Sequence, residues 1–65
     1  PIWAIEVKRS LAPRPARGFH AACADVHPVR RFVVYPGVER FPLGQDIEAI
    51  SLSDLTTELH SVGTT

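Results

Sequence analysis

The sequence predicts an α/β domain with a small mixed sheet in the order β-α-β-(β)-β-α. Three observations predict it. Residues 2–7 alternate in the manner of a strand, Phe19, Ala22, Cys23 and Val26 recur at helical spacing, and Phe32-Val33-Val34-Tyr35 is an unbroken apolar run. A half-exposed strand, a helix and a fully covered strand in that succession describe a parallel crossover, whose expected hand is right-handed.

Each element has its own signal. In the first strand Trp3, Ile5 and Val7 share one face, and Ile2, Ala4, Glu6 and Lys8 share the other. Pro13 and Pro15 make residues 10–17 a loop, with Pro15 suited to a first helical turn, where its missing donor costs nothing. The Phe19, Ala22, Cys23 and Val26 stripe faces the sheet, and Pro28 ends that helix at or before His27. Arg31 and Pro36-Gly37 bound the second strand, and Gly37 is expected to supply the positive φ of a type II turn. Residues 40–43 form a short strand that Pro42 confines to an edge. Gly44-Gln45-Asp46 turns the chain into a strand over 47–50. Ser51 or Ser53 caps a last helix with Leu52, Leu55 and Leu59 as its buried stripe, and Gly63-Thr64-Thr65 is a frayed tail.

Size and charge narrow the function classes. At 65 residues the chain holds one domain at most, and its core is marginal. Apolar residues at 45% and charged residues at 22% argue against intrinsic disorder. No apolar stretch is long enough to span a bilayer, and a membrane partner is not expected. The net charge of zero excludes a bulk field that draws the chain to nucleic acid. It hides an asymmetry, however: residues 1–31 carry six basic and two acidic side chains, residues 32–65 one basic and five acidic. A lone cysteine, Cys23, excludes an intrachain disulfide and fits a reducing compartment, so a cytoplasmic location is expected. The absence of methionine fits a processed chain or a fragment.

Four constellations bear on chemistry. Glu6-Val7-Lys8 places a carboxylate and an ammonium on one face of a strand end, where the carboxylate can hold a hard divalent cation. The plain alternative is a solvated Glu–Lys pair. His20, Cys23 and His27 have zinc-ligand chemistry at i, i+3 and i+7, yet Cys23 also belongs to the apolar stripe and His27 to a helix end that favours an imidazolium. Pro1 has the chemistry of the N-terminal base of small tautomerases, but Pro13, Pro15 and Pro28 leave too short a helix for that topology. Lys8, Arg9, Arg14 and Arg17 crowd the loop after the first strand and can contact a phosphate backbone.

The succession of apolar strand, Glu-x-Lys, loop, helix and buried parallel strand resembles the second half of the PD-(D/E)XK nuclease superfamily. Residues 3–10, Arg17-Gly18-Phe19-His20 and residues 31–37 sharpen the likeness, and Arg40-Phe41-Pro42-Leu43 and the closing stretch from Glu48 to Leu59 extend it. They resemble the C-terminal domain of unknown function, with a restriction-endonuclease-like fold, that follows the ATPase module in bacterial AAA-type ATPase proteins. The resemblance implies that residues 1–65 are a single small domain, the C-terminal half of a restriction-endonuclease-like domain. It implies that Glu6 and Lys8 stand at the nuclease Glu and Lys, with Glu6 as the metal ligand and Arg9, Arg14 and Arg17 beside nucleic acid. The acid that completes a Mg²⁺ site would lie on a strand upstream of Pro1, and ATP would bind only in an upstream module. No G-x-x-x-x-G-K-[ST] loop occurs here, so no cofactor is expected in this chain. The expected role is a nuclease-like accessory domain that binds or regulates rather than cuts. The alternatives are a structural dimerisation or docking domain and a nuclease active only in the parent. Self-association is expected, because a sheet this small leaves open edges.

Overall fold

The apolar run at 32–35 takes the middle of the sheet. In a computed structural model, which describes residues 2–63, the chain forms β1 (Trp3–Val7), α1 (Arg17–Val26), β2 (Arg30–Val34), β3 (Phe41–Gly44), β4 (Ile47–Ile50) and α2 (Leu52–Gly63). The four strands lie in the order β1-β2-β4-β3. β2 is parallel to both β1 and β4, and β3 closes one edge antiparallel to β4. The molecule is therefore a mixed α/β domain with a four-stranded sheet and two helices. Pro1, Thr64 and Thr65 lie outside the described residues, and with them the tautomerase comparison and most of the expected tail. Gly63 itself closes α2.

Strand alternation divides the core between two faces. Phe32, Val34 and Ile50 point to one, where Leu55 of α2 and Trp3 pack against them. Val33, Ile47 and Ala49 point to the other and are equally buried. α1 begins on that second side, because the backbone N–H of Ala16, just before it, donates to Glu6, whose register partner is Val33. Cys23, 2% exposed, is the residue α1 buries. Covering both faces of β2 explains why its sequence reads as a continuous apolar run.

The chain ends of the helices differ from expectation in instructive ways. α1 starts at Arg17 with Ala16 as N-cap, so Pro15 lies before the helix and not in its first turn. Ala22 and Val26 are exposed and only Cys23 and, in part, Phe19 turn inward, because α1 is a short helix that meets a narrow sheet along one row. Its end is set at His27, in the left-handed region with φ 53°, whose N–H donates to the Cys23 carbonyl. Pro28, immediately after, forbids a further turn. In α2 the capping residue is Ser51, whose Oγ accepts from the Asp54 N–H at 3.1 Å. Of the expected leucine stripe only Leu55 is buried, in the cluster with Phe32, Val34 and Ile50; Leu52 and Leu59 are exposed.

Two turns fix the remaining geometry. Gln45 and Asp46 both have positive φ, 54° and 63°, and join β3 to β4 as a two-residue hairpin of the I′ kind. Gly44, at φ 89°, sits where the β3–β4 register shifts. Gly37 does not take positive φ, contrary to the type II expectation. Its requirement is space: a Cβ there would fall 2.2 Å from Cε2 of Tyr35. Tyr35 is held in place by donating from its hydroxyl to the Glu39 carbonyl at 2.6 Å and by an edge contact with Phe41.

Candidate functional site

β1 and the loop after it assemble the group the sequence singles out. Glu6 and Lys8 share a face of the strand, and Lys8 Nζ lies 3.3 Å from Glu6 Oε2. The other oxygen, Glu6 Oε1, accepts a hydrogen bond from the Ala16 N–H at 3.1 Å. α1 has no side-chain cap and no acid in its first turn. Glu6 therefore supplies from β1 the negative charge that the positive end of α1 lacks in its own sequence. The Lys8 N–H meanwhile donates to the Val34 carbonyl, extending the β1–β2 ladder past Val7. One carboxylate thus ties a strand end, a lysine and a helix start together.

Metal chemistry needs more than this. Hard cations take several oxygen ligands, and Glu6 brings one carboxylate already engaged on both oxygens. Among the described residues no three His, Cys, Asp or Glu side chains converge as ligands, the His20, Cys23 and His27 trio included. Cys23 is buried, while His27 is exposed at the helix end. Arg9, Arg14 and Arg17 are exposed, and none makes an ion pair among the described residues. No pocket opens among the described residues, and no described helix is long and apolar enough to cross a membrane.

A second polar cluster, absent from the sequence reading, lies on the opposite face of the sheet. Arg40 grips Glu48 through both oxygens, Nε to Oε2 at 2.7 Å and Nη2 to Oε1 at 3.0 Å. The same guanidinium reaches Glu58 of α2 at 2.6 Å, and Arg30 approaches Glu58 at 3.9 Å. Arg30 also lies over the rings of Trp3 and Phe32, 5.2 and 4.9 Å from their centroids. The network bolts α2 to β2, β4 and the segment before β3. The signal that could have found half of it is the hairpin: its register puts Pro42 opposite Glu48, and Arg40, two residues before Pro42, is the diagonal neighbour of Glu48 on the adjoining segment.

Hydrogen bonding to Arg40 holds the Glu48 carboxyl below its ordinary value, with partial burial opposing and the charges of Arg40 and Arg30 assisting. Arg40 is held above its own ordinary value by the same partners, Glu48 first and Glu58 second. A depressed carboxyl pKa stabilises the fold above the unfolded-state value, and that contribution disappears as pH falls through the folded-state value. Arg40→Met is therefore expected to cost stability near neutrality and to cost little in acid, below about pH 3. The pair is a third exposed, so the difference is under about 1 kcal/mol, readable by urea melts at the two pH values. A cost that does not change with pH would mean that the aliphatic part of Arg40, and not its charge, does the holding.

Comparison with known proteins places these residues in a family. The family model described as a domain of unknown function, DUF4143, matches residues 1–55. The uncharacterized protein Mb2031c of Mycobacterium bovis is 33% identical over 55 residues, covering 85% of this chain and 12% of that protein. The uncharacterized protein Rv2008c of Mycobacterium tuberculosis matches with the same identity and the same coverage. The chain thus spans a small part of the relatives' length. No solved structure matches it.

Proposed function

The chain belongs to the DUF4143 family, and from that premise we propose that it is a nuclease-like accessory module that binds or regulates rather than cuts. The proposal extends to its setting: the C-terminal half of a restriction-endonuclease-like domain, in a cytoplasmic parent whose ATP-binding module is of the AAA type. Support for the fold comes from the parallel β1–β2 pair, the helix between them and Glu6-x-Lys8 at the end of β1. One observation carries the non-catalytic reading: both Glu6 oxygens are engaged, one by Lys8 and one by the Ala16 N–H. A carboxylate so committed is a brace between strand and helix, and freeing it for a metal costs the start of α1 its acidic partner. Arg9, Arg14 and Arg17, exposed beside it, are the residues proposed to meet a phosphate backbone.

The test uses the longer parent protein with plasmid DNA and Mn²⁺ or Mg²⁺. Wild type and Glu6→Gln are expected to be alike in leaving the DNA uncut, with Glu6→Gln melting at a lower temperature. Metal-dependent cleavage by the wild type, abolished in a Glu6→Gln protein of unchanged melting temperature, would establish the opposite: a nuclease whose second carboxylate lies upstream.

A further inference from the structure

Residues 8–16 join β1 to α1 without regular structure. Pro13 and Pro15 fix their own φ and press Ala12 and Arg14 into extended backbone. Ala16 continues the run at φ −71° and ψ 154°. Residues 12–16 are therefore a stiff strap, and Pro13 is buried, so the strap lies against the domain. Among the described residues no backbone N–H from 9 to 15 reaches a backbone carbonyl, and the Ala12 N–H donates to Ser10 Oγ, two residues back. The segment is tied at its two ends: the Lys8 N–H donates to the Val34 carbonyl at 2.7 Å and the Ala16 N–H to Glu6 Oε1 at 3.1 Å. The first bond belongs to the sheet. The second spans ten residues and ends on a carboxylate only 18% exposed, whose other oxygen Lys8 Nζ holds at 3.3 Å.

From this we infer that Glu6 is a positioning residue: it clasps the strap shut and thereby sets where Arg14 and Arg17 stand beside β1. A stiff segment turns as a unit about whichever end stays fixed. Loss of the Ala16 bond therefore swings Arg14 and loosens the first turn of α1, which starts at Arg17. The consequence for binding rests on the reading above, that these arginines meet a phosphate backbone; the clasp itself does not. Charge makes the two roles of Glu6 separable. A carboxylate close to a phosphate site repels the polyanion, so its removal alone should tighten binding. Loss of the clasp should weaken it.

Three variants of the longer parent protein test this, by limited trypsin digestion and by binding to a short DNA duplex. Glu6→Ala removes the acceptor. Ala16→Pro removes the donor at a φ that proline adopts and leaves every charge in place. Glu6→Gln gives up the charge but keeps an acceptor. In Glu6→Ala and Ala16→Pro, cleavage at Arg9–Ser10 and Arg17–Gly18 is expected to quicken at least about threefold more than amide exchange in β4, which reports global opening. Glu6→Gln should stay closer to the wild type. Duplex affinity should fall at least about threefold in Ala16→Pro, and fall instead of rising in Glu6→Ala. Unchanged cleavage in both of those variants would overturn the clasp. So would cleavage and β4 exchange quickening together, the mark of a general loss of stability, or a Glu6→Gln protein as open as Glu6→Ala. Unchanged duplex binding in an Ala16→Pro protein whose strap is cut faster would overturn the placement of the arginines. A wild-type parent that binds no duplex would sink the phosphate reading of Arg14 and Arg17, and the digestion alone would then decide the clasp.

Discussion

Phe32→Ala is expected to leave the chain largely unfolded at room temperature. Phe32 is 1% exposed, forms the core cluster with Val34, Ile50 and Leu55, and touches the Trp3 ring at 5.5 Å between centroids. Truncating a buried phenylalanine costs about 3–5 kcal/mol. A chain of 65 residues has a total stability of roughly 3–10 kcal/mol, so one substitution consumes much or all of it. Arg30 loses part of its seat at the same time, because its guanidinium lies over Phe32 as well as Trp3. Trp3 is the only tryptophan, and its fluorescence should report the loss directly. Val38→Ala, at a position 86% exposed, is the comparison and should change stability by less than about 0.5 kcal/mol. A cooperative Phe32→Ala melt near that of the wild type would mean that the face under α2 is not the core.

Gly37→Ala is expected to be the most damaging single methyl group. The new Cβ would lie 2.2, 2.6 and 2.8 Å from Cε2, Cζ and the hydroxyl of Tyr35. Tyr35 is 6% exposed and anchored by its bond to the Glu39 carbonyl, so the ring cannot yield without giving up that bond and its contact with Phe41. Overpacking of this kind costs about 1–3 kcal/mol. The cause is separable from backbone strain by a double-mutant cycle. With Tyr35→Val the methyl group has room, and Gly37→Ala should then cost far less than in the wild type. Equal costs in both backgrounds would assign the glycine to a conformational need instead.

The parts of the fold that follow from local pattern were legible in the sequence. The apolar run at 32–35, the alternation of β1, the strand at 47–50 and the helix stop at Pro28 each rest on a few neighbouring residues. What escaped depends on width. A helical stripe states which residues can be buried, not how far the sheet beneath extends, and so Val26, Leu52 and Leu59, inward by their spacing, lie exposed. Gly37 shows a similar limit: Pro-Gly suggests a turn, but the ring that demands the glycine belongs to Tyr35, two residues earlier. At the candidate site the pairing of Glu6 with Lys8 followed from period two alone. Engagement of Glu6 by the Ala16 N–H, ten residues on, required the loop to be closed, and no local signal announces it. The Arg40, Glu48 and Glu58 network needed both the hairpin register and the docking of α2.

Titration of the chain with Mn²⁺, followed by paramagnetic broadening of the backbone resonances around Glu6, tests the central claim most directly. If Glu6 is a brace held by Lys8 and the Ala16 N–H, its neighbours should broaden only weakly and without saturation below about millimolar metal, as one engaged carboxylate predicts. Saturable broadening at tens of micromolar, lost in Glu6→Gln, would contradict the account and make Glu6 a metal ligand.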